Sequence, residues 1–152
     1  NETGIWYMKY KVMYTAGAKK DLRNIFRYIS EELLAPENAA GQTERIMTSI
    51  RKLDTMPNRN RLYEEEPWHS RGLRFFPVGN YLVFYKTDDE TEIVYVVRIM
   101  YGGRDVHKQL TQTSHIKNEL STLKNQYFNP QNNNQAALCP YSNASCIYFG
   151  SL

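Results

Sequence analysis

The sequence predicts an α+β domain: an N-terminal strand and a helical hairpin, followed by a three-stranded antiparallel meander that forms one sheet with the helices packed on it. Two observations carry this prediction. Apolar residues recur at helical spacing in two consecutive segments, and three strand-like runs follow, joined by links of two and four residues. Links this short force neighbouring strands to be antiparallel. The chain of 152 residues has room for one such domain with a core of its own.

The first elements are a strand and two helices. Polar and apolar residues alternate over 9–14, a pattern typical of a strand with one buried face. Over 17–34, apolar residues recur at intervals of three and four and line one face of an amphipathic helix. Pro36 begins a second helix, whose apolar stripe continues until Met56 and Pro57 end it. These two helices form the predicted hairpin.

The second half of the domain is the meander. Strand-like runs occupy 73–78, 81–87 and 92–101, and a two-residue Gly-Asn turn joins the first two. The preceding stretch, 58–72, is irregular. Loops of this length are uncommon unless they are functional or mobile.

Composition divides the chain into three parts. Residues 8–110 carry the periodic apolar pattern and form the domain, and residues 1–7 are interpreted as leader or cloning residues. Residues 111–152 are a polar appendage rich in Asn and Gln, a composition that does not pack a core. Within it, apolar residues at helical spacing predict one more helix over 114–126. That helix either lies back on the domain or belongs to a free tail.

Composition also bounds the compartment and the chemistry. No apolar run approaches the roughly 20 residues that span a bilayer, so no membrane partner is expected and the chain is interpreted as cytoplasmic. Cys139 and Cys146 are interpreted as reduced thiols. The sequence contains no metal-binding or phosphate-loop motif, and no metal or other cofactor is expected. A net charge of +3 permits an anionic partner but is far below the charge density of a dedicated duplex-DNA binder.

The candidate functional residues are basic side chains on and after the meander: Arg74, Lys86, Arg98, Arg104 and His107. Arg98 is the most informative, because a guanidinium inside an apolar strand needs either a partner or a sheet face open to water. One interpretation is an intramolecular salt bridge to a helix carboxylate. The other is a site on the open face that binds an anion or a partner protein. For Arg74 and Lys86, solvated surface charge is the simpler interpretation.

Two segments carry a family signal: GLRFFPVGNYLVFY over 72–85 and VRIMYGGRD over 97–105. Together with the order of the elements, they resemble the RelE/ParE superfamily of toxins from type II toxin-antitoxin modules, also called plasmid stabilisation proteins. The run AKKDL over 18–22 and the helix after it resemble the opening of that family. The resemblance covers about residues 8–110 and depends on the ordered combination of these segments.

The resemblance implies a small cytoplasmic protein that arrests growth and is held inactive by a cognate antitoxin. The superfamily has two branches. Members of the ribonuclease branch cut messenger RNA on the translating ribosome without metal, which requires cations at the phosphate and groups that move protons. Members of the ParE branch act on DNA gyrase and need no catalytic residues of their own. A degenerate member that binds antitoxin without being toxic is a third interpretation.

Two places bear on the choice between the branches. The ribonuclease branch commonly has Arg before the Leu-Val-Tyr of the middle meander strand, whereas here Tyr81 precedes Leu82. The run RIMYGGRD over 98–105 resembles the strand end and turn of ParE-type proteins, and its Arg104 also matches an arginine that ribonuclease members keep after the last strand. Gyrase inhibition is therefore favoured, cleavage stays open, and the chain is an enzyme only on the ribonuclease interpretation, with His107 and Arg74 as catalytic residues.

Site residues follow from these interpretations. Arg74, Lys86, Arg98 and Arg104 are the candidates for binding the target or an anion. The antitoxin is expected on the helical hairpin and the adjoining sheet edge, where incompletely covered apolar side chains would receive it. The residues expected to make this contact are Leu33, Ile46 and Met47.

Overall fold

The structure is a computed structural model, and it describes residues 9–103, 105–112 and 120. We number its strands and helices in chain order. The elements are β1 (Lys11–Tyr14), α1 (Ala16–Arg27), a π-helical turn (Tyr28–Glu32), α2 (Pro36–Arg51), two 3-10 turns (Lys52–Asp54 and Pro57–Arg59), β2 (Leu73–Val78), β3 (Tyr81–Asp88), β4 (Ile93–Tyr101) and α3 (Val106–Thr111).

The predicted α+β class and the order of the elements are confirmed. The helix expected over 17–34 consists of α1 and the π-helical turn, with Leu33 as the C-cap, and the positive φ of 50° at Leu34 then turns the backbone away from the helix. Pro36 begins α2 as expected, because a missing N–H costs nothing in the first helical turn. Residues 1–7 and most of 111–152 lie outside the described residues, and the predicted domain boundaries stay predictions.

All four strands form one sheet in the order β1-β4-β3-β2. Strands β2, β3 and β4 make the predicted antiparallel meander. The N-terminal strand β1 lies parallel to β4, with Lys11 opposite Ile93 and Tyr14 opposite Val96. A parallel neighbour requires a crossover connection, and the helical hairpin begins that connection. The first strand of the chain is thus placed beside the last strand of the sheet.

The main hydrophobic core lies between the helical hairpin and one face of the sheet. α1 and α2 each present one row of apolar side chains at the 3.6-residue period, and these rows pack against β3 and β4. The buried members are Tyr14, Ala18, Leu22, Ile25, Ile29, Ala39, Ile46, Met47, Ile50, Leu53, Val83, Tyr85, Val94, Val96 and Ile99.

The second face of the sheet is covered as well. A second cluster of buried side chains joins this face to α3 and to the irregular stretch 58–72. Its members are Trp68, Leu73, Phe84, Val97, Met100 and Leu110. Leu120, the single described residue within the predicted helix 114–126, packs against this cluster and against Met13, Ile93 and Tyr95. The open face on which the anion-binding interpretation of Arg98 depended is therefore largely covered.

The junction between β1 and α1 is fixed by Thr15. Its side chain accepts a hydrogen bond from the Ala18 backbone N–H at 3.2 Å, which caps the N-terminus of α1. The same hydroxyl donates to the carbonyl oxygen of Val97 at 3.0 Å, and the Thr15 N–H donates to the carbonyl oxygen of Val96 at 3.0 Å. One buried residue therefore ends β1, begins α1 and ties both to β4.

Asp21 joins α1 to β4 beyond the end of β1. The Arg98 guanidinium donates from Nε to Oδ2 of Asp21 at 2.7 Å and from Nη2 to Oδ1 at 3.1 Å. The Ile99 backbone N–H donates to the same Oδ2 at 3.0 Å. The Arg98 and Asp21 side chains are only 20% and 12% exposed. The intramolecular salt bridge considered for Arg98 is therefore present, in the bidentate geometry that Arg favours.

We expect Asp21→Ala to destabilise the protein by about 3 to 5 kcal/mol, because it leaves the Arg98 guanidinium and the Ile99 N–H without their acceptor. Urea unfolding followed by circular dichroism measures this loss. The double variant Asp21→Leu with Arg98→Met is expected to lose less, because apolar groups of similar volume tolerate burial. An Asp21→Ala protein as stable as the parent would contradict this assignment.

We expect Thr15→Val to lower the free energy of unfolding by about 1 to 2 kcal/mol, because it removes the helix cap and the bond to Val97 while keeping the side-chain volume. Thr15→Ser is the matched control, since it keeps the hydroxyl, and it is expected to remain close to the parent. Thermal unfolding compares the three proteins. A Thr15→Val protein as stable as the parent, or a Thr15→Ser protein that loses more stability than Thr15→Val, would show that the hydroxyl is not the stabilising group.

Candidate functional site

The register of the sheet separates Arg74 from Arg98, two of the candidate target-binding residues. Arg74 of β2 is opposite Tyr85, and Arg98 of β4 is opposite Phe84. Tyr85 and Phe84 are consecutive residues of β3, and consecutive side chains of a strand point to opposite faces. Arg74 and Arg98 therefore start from opposite faces of the sheet. Lys86 shares its face with Phe84, two residues away along β3.

Arg74 helps to hold the segment after α2. Its Nη1 donates to the carbonyl oxygen of Asn60 at 2.6 Å. Next to this contact, the Tyr85 hydroxyl donates to the carbonyl oxygen of Pro57 at 2.5 Å and accepts from Nδ2 of Asn60 at 3.0 Å. Burial raises the pKa of Tyr85 above its usual value, which keeps the phenol protonated as a donor.

His107 lies in α3 and pairs with an acidic residue of the irregular stretch. Its Nδ1 contacts a carboxylate oxygen of Glu65, and both side chains are about half exposed. Asp105 caps the same helix by accepting from the Lys108 N–H at 3.1 Å. Arg104 lies outside the described residues. Among the residues that the structure places, Arg74, Arg98 and His107 have three separate sets of partners and do not assemble into one site.

A groove of about 1340 Å³ opens beside the Asp21–Arg98 pair. It lies between the helical hairpin on one side and the end of β4 with α3 on the other. Its apolar lining includes Tyr28, Leu33, Tyr81, Ile99, Met100 and Tyr101. Its polar lining includes Asn24, Asn38, Gln42, Arg45, Asn80 and Gln109. A groove lined by both apolar and polar side chains suits an amphipathic protein segment, which buries its apolar face and keeps its polar edges hydrogen-bonded.

The exposed apolar side chains of the described residues concentrate at this groove. Of the five large apolar residues that are exposed, Tyr28, Leu33 and Tyr101 line it, and Leu34 follows Leu33 in the chain. Leu33 is 56% exposed because the π-helical turn ends there and its side chain leaves the buried row of α1. Contiguous exposed apolar surface of this kind marks interaction sites.

Of the three residues expected to receive an antitoxin, only Leu33 is available at the surface. Ile46 and Met47 belong to the row of α2 that faces the sheet, and both are fully buried in the main core. The expectation that they are incompletely covered is wrong, because both side chains lie in the main core between the helical hairpin and the sheet. Tyr28 and Tyr101 also line the groove and were not predicted from the sequence. For Tyr28 a signal was available, because this aromatic residue falls outside the apolar row of the first helix and is therefore expected at the surface.

The described part of the chain offers no metal-binding group of His, Cys, Asp or Glu side chains. Within residues 9–103, 105–112 and 120, no helix is long and apolar enough to cross a bilayer.

One solved structure with a similar fold belongs to a toxin-antitoxin system. The chromosomal ParDE system of P. aeruginosa matches with a TM-score of 0.52 and 18% identity, over 62% of this chain and 97% of that one. The RelBE2 toxin-antitoxin complex of Mycobacterium tuberculosis matches with a TM-score of 0.44 and 23% identity, over 61% of this chain and 98% of that one. No curated protein sequence matches the chain.

The sequence itself matches a family model. The model describes the ParE toxin of the type II toxin-antitoxin system parDE, and it matches residues 12–106, which is more than half of the chain. The matched range includes all but the first residue of β1, the other three strands, both helices of the hairpin and the Asp21–Arg98 pair. The resemblance to the RelE/ParE superfamily found in the sequence is confirmed, and the chain belongs to the ParE toxin family of type II toxin-antitoxin systems.

Proposed function

We propose that this toxin arrests growth by binding DNA gyrase and inhibiting it, without cutting RNA. The observation that carries the proposal is the separation of the would-be nuclease residues. Arg74 and Arg98 start from opposite faces of the sheet, and each is bound to a partner inside the chain. Phosphate cleavage requires cations and proton-transfer groups that converge on one reacting atom. A binding inhibitor has no such requirement.

Further support comes from Tyr81, which stands where the ribonuclease branch commonly has an arginine, and from the ParE description of the matching family. Tyr81 packs edge-on against Tyr101, with 5.9 Å between the ring centroids, at the mouth of the groove. An aromatic pair at this position provides contact surface for a protein partner and no charge for a phosphate.

Inducible expression of the full chain in a bacterium tests the proposal. We expect growth arrest, induction of the DNA-damage response, and inhibition of supercoiling when the purified chain is added to gyrase. His107→Gln is expected to remain as toxic as the parent, because the His107 side chain is half exposed and pairs with Glu65. Mapping the ends of messenger RNA in the same cultures shows whether translated messages are cut.

Codon-placed cuts in translated messages, abolished by His107→Gln in a folded protein, would replace this proposal with the ribonuclease alternative. Soluble, folded protein that binds antitoxin without arresting growth would identify a degenerate, non-toxic member. Gyrase inhibition without new messenger RNA ends would support the proposal.

We propose further that the cognate antitoxin occupies the groove between the helical hairpin and the end of β4. Toxins of this class are held inactive by an antitoxin, and three of the five exposed large apolar residues in the described part of the chain line the groove. Its amide-rich rim provides donors and acceptors for the polar edge of a bound helix or strand. Leu33 stands at one side of this surface and Tyr101 at the other.

We expect Leu33→Asp to weaken antitoxin binding by about 2 kcal/mol, roughly 30-fold, because it places a charge in the apolar contact. Met56→Asp is the matched control, since Met56 is 64% exposed and does not line the groove. Titration calorimetry with purified antitoxin measures both affinities. Equal weakening in the two variants, or none in Leu33→Asp, would place the antitoxin elsewhere.

A further inference from the structure

The outer face of α1 carries a row of basic side chains: Lys19, Lys20, Arg23 and Arg27. At about 100° per residue, these four positions fall within an arc of about 100°. The row lies opposite the buried positions of the helix, Ala18, Leu22 and Ile25. Lys20, Arg23 and Arg27 are exposed and Lys19 is half-buried. We call these four residues the basic face of α1.

No acid of α1 neutralises the basic face. Asp21 is the one acidic residue between Ala16 and Arg27, and its carboxylate is occupied by Arg98 and the Ile99 N–H. Glu31 and Glu32 come one turn later and form no ion pair with Arg27. With the residues that the structure describes, the side chains of the basic face form no ion pair. The net charge of the chain is only +3, so this face holds a local excess of positive charge.

The chemistry of the face distinguishes between two kinds of anionic partner. Protein interfaces are built around aromatic and apolar anchors and are depleted in lysine. None of the exposed large apolar residues in the described part of the chain lies between Lys19 and Arg27. Tyr28, the nearest in sequence, lines the groove. A surface of lysine and arginine without an apolar anchor matches a phosphate backbone, which proteins bind through charge and independently of the base sequence.

We propose that the basic face of α1 binds the phosphate backbone of duplex DNA held by gyrase. This inference rests on the proposed function, since a toxin docked on gyrase lies beside the DNA that the enzyme handles. From Lys20 to Arg27 the helix rises about 10 Å, about three nucleotide steps of one strand of a duplex. The contact adds a salt-dependent, sequence-independent contribution to the binding of the gyrase–DNA complex.

Binding of the full chain to fluorescent duplex DNA, measured by anisotropy over a range of salt concentrations, tests the inference without gyrase. The test variant is the triple Lys20→Gln, Arg23→Gln and Arg27→Gln. The control triple, Arg51→Gln, Lys52→Gln and Lys108→Gln, removes the same charge from exposed positions on other helical segments. Thermal unfolding verifies that both triples are folded.

We expect the basic-face triple to bind duplex DNA about tenfold more weakly, with a salt slope lower by about 2.7, from about 0.9 per lost phosphate contact. The control triple is expected to keep most of the affinity. Equal losses in the two triples would reduce the effect to net charge, and tighter binding of single-stranded RNA than of duplex DNA would assign the face to RNA. Either result overturns the inference.

Supercoiling assays separate this inference from the proposed function. If the parent inhibits gyrase and the basic-face triple inhibits it equally well, the proposed function stands and the inference fails. If the parent binds duplex DNA through the basic face but leaves gyrase active, the DNA-binding surface stands and the gyrase target is wrong. We expect the triple to require a higher concentration than the parent and the control triple to match the parent.

Discussion

The carboxylate of Asp21 is the contact on which the arrangement of helix and sheet depends. β1 stops at Tyr14, whereas β4 continues to Tyr101, so the outer edge of β4 loses its strand partner halfway along. Asp21 accepts the Ile99 N–H at that edge and is itself balanced by Arg98. Because a buried carboxylate and a buried guanidinium are tolerated only together, the pair holds α1 in one position on the sheet. The wall of the groove is built from the same pair.

With its position fixed, α1 presents three different surfaces. Its apolar row enters the main core, its side toward β4 lines the groove, and its outer face is basic. The groove and the basic face are adjacent on one helix but differ in chemistry, since one mixes apolar and polar side chains and the other is basic. On the two proposals above, an antitoxin in the groove would lie next to the basic face and would restrict access to it.

The basic residues that look functional in the sequence are mostly part of the fold. Arg98 closes the edge of β4, Arg74 holds the Asn60 carbonyl, and His107 pairs with Glu65 between α3 and the irregular stretch. Buried or half-buried cations need partners, and in this protein the partners come from the same chain. The basic residues of α1 attract less attention in the sequence because a charged helix face is ordinary. The structure shows that they share the outer face of α1 and that Asp21, the one acidic residue of this helix, is paired with Arg98 instead.

Local patterns predicted the elements and their order, because apolar periodicity, turn residues and proline act over a few neighbouring positions, and the ordered segments indicated the family. The parallel pairing of β1 with β4, the covering of the second sheet face and the pairing of Asp21 with Arg98, 77 residues away, became visible only in the folded structure. It also decided that Ile46 and Met47 are core and that Leu33 is surface, although all three follow the same apolar pattern. The roles of the candidate site residues stay predictions. Long-range pairing and strand register depend on how whole elements pack, and no local pattern encodes them.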